Sequence, residues 1–192
     1  MANIQDDRLL AEAICYAVEA HFGQRRKGCD VPYVVHPMEV AAIAAGMTED
    51  RHVMAAAVLH DVLEDTPSTA AAIRDLFGED VLSLIMGDTE DKREEMDPRD
   101  SWQLRKQDTI DYVRNKATRR EKIVILSDKL SNLRSMTRDH DRLGDALWQR
   151  FHQTDPAMHK WYYLSVVRAC EGLEDTDAYR ECLELIGRLF GT

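Results

Sequence analysis

The chain has 192 residues, enough for one domain with a sizeable core, and its 44% hydrophobic and 31% charged content excludes a disordered or fibrous polypeptide. Asp and Glu (35) exceed Lys and Arg (25), a formal charge of −10 that argues against broad binding to nucleic acid or an anionic membrane. It leaves room for a small anionic substrate in a local basic pocket. No apolar run approaches the ~20 residues of a membrane span, and the first ten residues carry Asp6 and Asp7 rather than a signal-peptide core. Cys15, Cys29, Cys170 and Cys182 form no CxxC pair, so plain packing in a reducing, cytoplasmic setting is expected.

Apolar residues recur at helical spacing almost throughout. Leu9, Leu10, Ala13, Ile14, Ala17 and Val18 predict a first helix over about residues 5–22. A loop follows to Pro37, with Gly28, Pro32 and an apolar run, Tyr33-Val34-Val35, short enough to be a brief strand. Met38–Ala45 reads as the second helix, stopped by Gly46, and Asp50–Asp65 as the third. Ser68 suits an N-cap for Thr69–Phe77; Gly78 closes that helix and Glu79–Met86 is the next. The stretch 87–100 holds seven acidic and three basic residues and reads as a solvated loop. Helices resume at Ser101–Lys116, Arg119–Asp139, a short Arg142–Phe151, Ala157–Gly172 (Pro156 in its first turn) and Asp177–Phe190. The expectation is one all-α domain over 1–192, a compact bundle of about ten helices.

Chemistry concentrates in three segments. In Leu59-His60-Asp61-Val62-Leu63-Glu64-Asp65 a His-Asp pair lies inside an apolar helix. Burying both costs several kcal/mol unless something compensates. A divalent cation does so, since imidazole and carboxylate are good ligands for Mn²⁺, Fe²⁺ or Zn²⁺; a capped helix end with solvated acids is the plainer reading. Glu64 and Asp65 lie one turn beyond His60 and Asp61 and would line the same cavity. His36 stands between an apolar run and Pro37, at a rigid corner that fits a structural histidine or a ligand. Asp128 sits in the most hydrophobic stretch, Ile123–Leu133, with Asn132 one turn on; a core ion pair with Lys129 or Arg134 is the alternative.

Taken together, His36, His60, Asp61 and Asp128 resemble the ligand set of the HD metal-dependent phosphohydrolases. The segments Gln24-Arg25-Arg26-Lys27-Gly28, Pro32–Ala41, His60–Thr66 and Ser127–Arg134 are similar to the hydrolase domain of Rel/SpoT proteins, most of all to free-standing small alarmone hydrolases. The likeness covers about residues 5–170, and Glu64-Asp65-Thr66 after His-Asp separates this family from many HD enzymes. It implies an HD-domain helical bundle with a central metal site, on which helix 177–190 packs. The implied cofactor is one Mn²⁺ ion, other divalent metals being possible, and the reaction is removal of the 3′-pyrophosphate from (p)ppGpp. Carried over by position, the four named residues are the metal ligands and Glu64 and Asp65 the catalytic pair. Arg26 would stack on the base, Lys27 face phosphate or base edges, and Asn132 bond the ribose or base. Arg105 and Lys106, after Trp102, fit diphosphate contacts or a solvated helix face. In Trp161-Tyr162-Tyr163 an aromatic belongs near the base, and Trp161 is taken for it, with core packing as the alternative. The loop before His36 is one residue longer than the family's spacing, so Arg25 also fits the stacking position. An HD nucleotidase or phosphodiesterase for another nucleotide, adenine alarmones included, and an inactive nucleotide sensor are the competing functions. The expected partner is a small nucleotide, with no nucleic acid or membrane and a possible homodimer.

Overall fold

The computed structural model describes residues 4–87, 93 and 96–191. Among them are nine α-helices: α1 (Ile4–Ala20), α2 (Val35–Ala45), α3 (Arg51–Leu59), α4 (Val62–Asp65), α5 (Ala70–Met86), α6 (Pro98–Asn115), α7 (Arg119–Leu143), α8 (Pro156–Ala169) and α9 (Asp177–Phe190). A 3-10 helix, Gly144–Arg150, joins α7 to the segment before α8. The all-α expectation holds, and no described helix is long and apolar enough to cross a membrane.

The core is organised on α7 and α3. Every residue of α3 from Val53 to Leu59 is buried, as is every residue of α7 from Glu121 to Ser131. Such all-round burial needs partners on all sides: α3 packs on α1, α2, α5 and α7, while α7 also meets α2, α8, α9 and the 3-10 helix. A capping box starts α7, Thr118 receiving the Glu121 N–H while the Glu121 carboxylate takes the Thr118 N–H at 2.7 Å. At α3 the Asp50 side chain accepts the His52 and Val53 N–H groups and is itself held by Arg120 Nε at 2.8 Å, which ties the N-termini of α3 and α7 together.

Several boundaries differ from the sequence reading. Helix α2 begins at Val35, so His36 lies inside its first turn and Pro37 follows where a missing N–H costs nothing. Tyr33-Val34-Val35 forms no strand; Arg25 and Pro32 instead make an isolated antiparallel bridge, closed by Arg26 N–H to Val31 O at 2.9 Å and Tyr33 N–H to Gln24 O at 3.0 Å. The expected helix over 50–65 breaks at His60-Asp61, giving α3 and α4. Asp61, at φ −92° and ψ −5°, occupies the bridge region between helix and turn. The cap of α5 is Thr69, not Ser68, and the run bends at Gly78, whose φ of 86° is left-handed. Of the acidic stretch 87–100, residues 88–92, 94 and 95 lie outside the described residues, and 98–100, expected in the loop, open α6.

Candidate metal centre and adjoining cavities

Helix α2 delivers His36, the α3–α4 junction delivers His60 and Asp61, and α7 delivers Asp128. Ligand atoms of His36, His60 and Asp128 all lie within 4.8 Å of one another, in buried surroundings. Asp61 joins them: its Oδ2 is 2.9 Å from His60 Nε2 and 3.6 Å from His36 Nε2, and Asp128 Oδ1 is 3.1 Å from His36 Nε2 and 3.6 Å from His60 Nε2. His60 and Asp61, whose side chains diverge by ~100° as helix neighbours, both reach the cluster because it lies between their directions.

Hydrogen bonds fix the tautomers. His60 Nδ1 faces the Ala57 carbonyl at 2.8 Å, which only accepts, so Nδ1 carries the proton. His36 Nδ1 faces Ser131 Oγ at 2.8 Å, and that hydroxyl donates to Glu39 Oε2 at 2.8 Å, so His36 Nδ1 donates as well. Nε2 of each ring is then the atom that faces the two carboxylates and that a cation would take. His60 Nε2 is buried and has no hydrogen-bond partner among the described residues, although Asp61 Oδ2 lies within ion-pair distance.

Charge within the cluster follows the same demand for a cation. Burial pushes His60 toward neutrality, yet Asp61 and Asp128 outweigh it and hold its pKa well above the ordinary value. At His36 burial, with the positive charges of His60 and Arg26 adding to it, outweighs Asp128, and the pKa is lowered. Asp128 is held well below the carboxylate range against its burial, chiefly by Lys129, whose Nζ donates to Asp128 Oδ2 at 2.6 Å. The ion pair weighed for Asp128 therefore exists on one oxygen, while the other faces the histidines. Two imidazole nitrogens and two carboxylates at these separations fit a divalent cation of the Mn²⁺, Fe²⁺ or Zn²⁺ type.

Beside the cluster lies a cavity of about 190 Å³, walled by Tyr33, Glu64, Lys106, Lys129, Asn132 and Tyr163 along with His36, Asp61 and Asp128. A second, of about 150 Å³, shares Tyr33, Asn132 and Tyr163 with it and adds Arg26, Lys27, Arg150 and Phe151. Asn132 bridges the two: its Nδ2 donates to Asp128 Oδ1 at 2.6 Å, and its Oδ1 accepts from Arg26 Nη2 at 3.1 Å. Arg26 also lies over the Tyr33 ring, 5.6 Å from its centroid, and Lys27 over Phe151 at 5.3 Å.

Other anticipated residues are placed differently. Glu64 lines the first cavity, whereas Asp65 is exposed at its edge, with Oδ2 3.4 Å from the Tyr33 hydroxyl. Lys106 lines the cavity with its Nζ over the Tyr162 ring at 4.8 Å; Arg105 lines neither cavity and its Nε donates to Ser101 Oγ at 3.3 Å. Trp161 lines neither cavity and packs near Trp102, ring centroids 6.4 Å apart, while Tyr162 and Tyr163 line the first. Arg25 pairs with Asp30 at 3.0 Å, away from both cavities. Sequence reasoning passed over Tyr33, which donates to Asp61 Oδ2 at 2.5 Å and whose hydroxyl is pushed far up by burial and by Asp61. Its position three residues before His36 was the available signal. Lys129, read only as an ion-pair partner, walls the cavity too.

Comparison with known proteins matches this arrangement. The HD domain family matches residues 13–153. The guanosine-3′,5′-bis(diphosphate) 3′-pyrophosphohydrolase MESH1 of Danio rerio is 34% identical over 139 residues, covering 71% of this chain and 73% of that protein. Its Xenopus tropicalis counterpart is 38% identical over 136 residues, 69% and 72% of the two chains. A solved structure described as a metazoan ortholog of SpoT that hydrolyzes ppGpp superposes with a TM-score of 0.73 at 30% identity, over 94% of each chain. With these relatives and a buried His36–His60–Asp128 group that Asp61 adjoins, the chain belongs to the HD domain family of divalent-metal phosphohydrolases.

Proposed function

We propose that the protein is an Mn²⁺-dependent pyrophosphohydrolase of guanosine alarmones, converting (p)ppGpp and water to GDP or GTP and pyrophosphate. The observation that carries this reading is the pairing of the His36–His60–Asp61–Asp128 cluster with two cavities joined at Asn132, one reaching Glu64 and Lys106 and the other Arg26 and Lys27. The MESH1 relatives, similar over about seven tenths of the chain, bear the name of this activity. A single Mn²⁺ held by the four residues would supply Lewis acidity, polarising the scissile phosphoryl group and lowering the pKa of water.

The protein's own groups do the rest. Glu64 accepts the proton of the attacking water. Asp65, tied to Tyr33, orients that edge of the site. Lys106 and Lys129 offset charge on the 3′-diphosphate as it leaves the ribose 3′ oxygen. Asn132 and Tyr163, common to both cavities, hold the ribose between them, and Arg26 offers its guanidinium face to the base. The net step adds water across the ribose 3′ O–P ester, leaving a 3′ hydroxyl.

The test is incubation of the purified protein with Mn²⁺ and a panel of guanine and adenine alarmones and ordinary nucleotides, with product identification. Pyrophosphate released from a 3′ position of ppGpp is the expected result. Orthophosphate release, or tight binding without turnover, would replace the reading with a nucleotidase or a sensor.

A further inference from the structure

His60 and His36 are oriented by different means. His60 Nδ1 is held by a backbone carbonyl, which no substitution at a side chain removes. His36 Nδ1 is held by Ser131, buried on α7, and the hydroxyl of Ser131 is held in turn by Glu39 on α2. His36 and Glu39 stand three residues apart on α2, as do Ser131 and Arg134 on α7, so each pair shares a face at the α2–α7 contact. Glu39 Oε1 accepts from Arg134 Nη1 at 3.2 Å, while Arg134 Nε and Nη2 make a bidentate pair with Glu181 of α9 at 2.6 and 2.7 Å.

Proton directions along this chain are determined. A carboxylate only accepts, so Ser131 must give its one proton to Glu39. That leaves Ser131 only lone pairs toward His36, which must donate from Nδ1, so that the neutral ring presents its Nε2 lone pair to the cluster side. Arg134, engaged by two carboxylates, holds Glu39 in place.

We propose that Ser131 and Glu39 are positioning residues, a relay that sets the tautomer and ring orientation of His36 and so tunes cation affinity at the centre. The relay rests on the metal centre proposed above. Partners behind a ligating histidine are typically worth about 10–100-fold in metal affinity.

The experiment measures Mn²⁺ affinity of the metal-free protein by the EPR signal of free Mn²⁺, with His60→Ala defining binding outside the centre. Wild type, Ser131→Ala, Ser131→Thr, Glu39→Leu and the Ala/Leu double variant are compared, and ¹⁵N-histidine spectra report the His36 tautomer. Ser131→Ala is expected to weaken binding about 10–100-fold and to lose the Nδ1–H signature, with Ser131→Thr recovering both. Because the two residues act in series, the double variant should bind no more weakly than Ser131→Ala. Wild-type affinity in Ser131→Ala, or a loss that Ser131→Thr does not recover, overturns the relay. Should Ser131→Ala fail to fold, Glu39→Leu at its partly exposed position decides alone, and wild-type affinity there overturns the relay. A wild-type protein that binds no more Mn²⁺ than His60→Ala overturns the metal centre and the relay with it. Neither outcome depends on ppGpp turnover, so a failure of the proposed activity is read separately.

Discussion

Glu64 and Arg26 divide the proposed chemistry between proton transfer and recognition, and each is separable by substitution. Glu64 walls the cavity on the cluster side but is not among the residues whose ligand atoms converge. Glu64→Gln keeps its size and loses its charge, so it should bind Mn²⁺ and nucleotide nearly as wild type and turn over at least ~100-fold more slowly in a single-turnover assay. Lost Mn²⁺ binding would instead make Glu64 a ligand. Arg26 reaches the cluster through Asn132 and Tyr33 and offers it no ligand atom, so Arg26→Ala should raise KM and lower kcat/KM while metal content, measured by elemental analysis, stays unchanged. A change in metal content would show that the loop builds the centre.

At the level of elements, the loop between α1 and α2 depends on Gly28. Its φ of +80° is left-handed, and a Cβ there would come 2.5 Å from Arg150 Nη1. The guanidinium it would strike pairs with Asp139 at 3.2 Å and walls the second cavity. Gly28→Ala should therefore cost about 1–2 kcal/mol in denaturant unfolding, from the backbone conformation alone, and raise KM by displacing Arg150. An unchanged KM would separate Arg150 from substrate binding. The elements were largely legible: periodicity marks α1, α7 and α9 to within a few residues, because each buries a continuous face. The break at His60-Asp61 was not legible. No Gly or Pro marks it, and it falls where α3 leaves its packing among α1, α2, α5 and α7. The aromatic beside the cavity was read one step too early on α8, as Trp161 rather than Tyr162 or Tyr163. A shift of one residue turns a helix by ~100°, and composition alone does not fix that phase. The ligand candidates are easier to single out, since His60, Asp61 and Asp128 are titratable groups within apolar runs, although Lys129 beside Asp128 offers an ion pair as well. Ser131 gave no such signal, as a helical serine is ordinary until its neighbour across the α2–α7 contact is known.

For the molecule as a whole, a cation that binds the folded state alone stabilises it by mass action. Mn²⁺ at 100 times its dissociation constant should add about 2.7 kcal/mol to unfolding, visible as a rise in Tm reversed by a chelator. A Tm that ignores Mn²⁺ would argue against a preformed centre. The expected substrate is a polyanion, and the chain carries a formal charge of −10; Arg26, Lys27, Lys106, Lys129 and Arg150 gather at the two cavities as a local exception. One side-chain amide, that of Asn132, spans the border between cation and nucleotide, gripping Asp128 with one end and Arg26 with the other. The two binding events therefore close a single thermodynamic cycle. If the base draws Arg26 away, the amide is released to settle on Asp128, and the cation's affinity changes by some factor. By reciprocity Mn²⁺ alters nucleotide affinity by that same factor, so either titration, run with and without the other ligand, measures how strongly the protein makes one wait for the other.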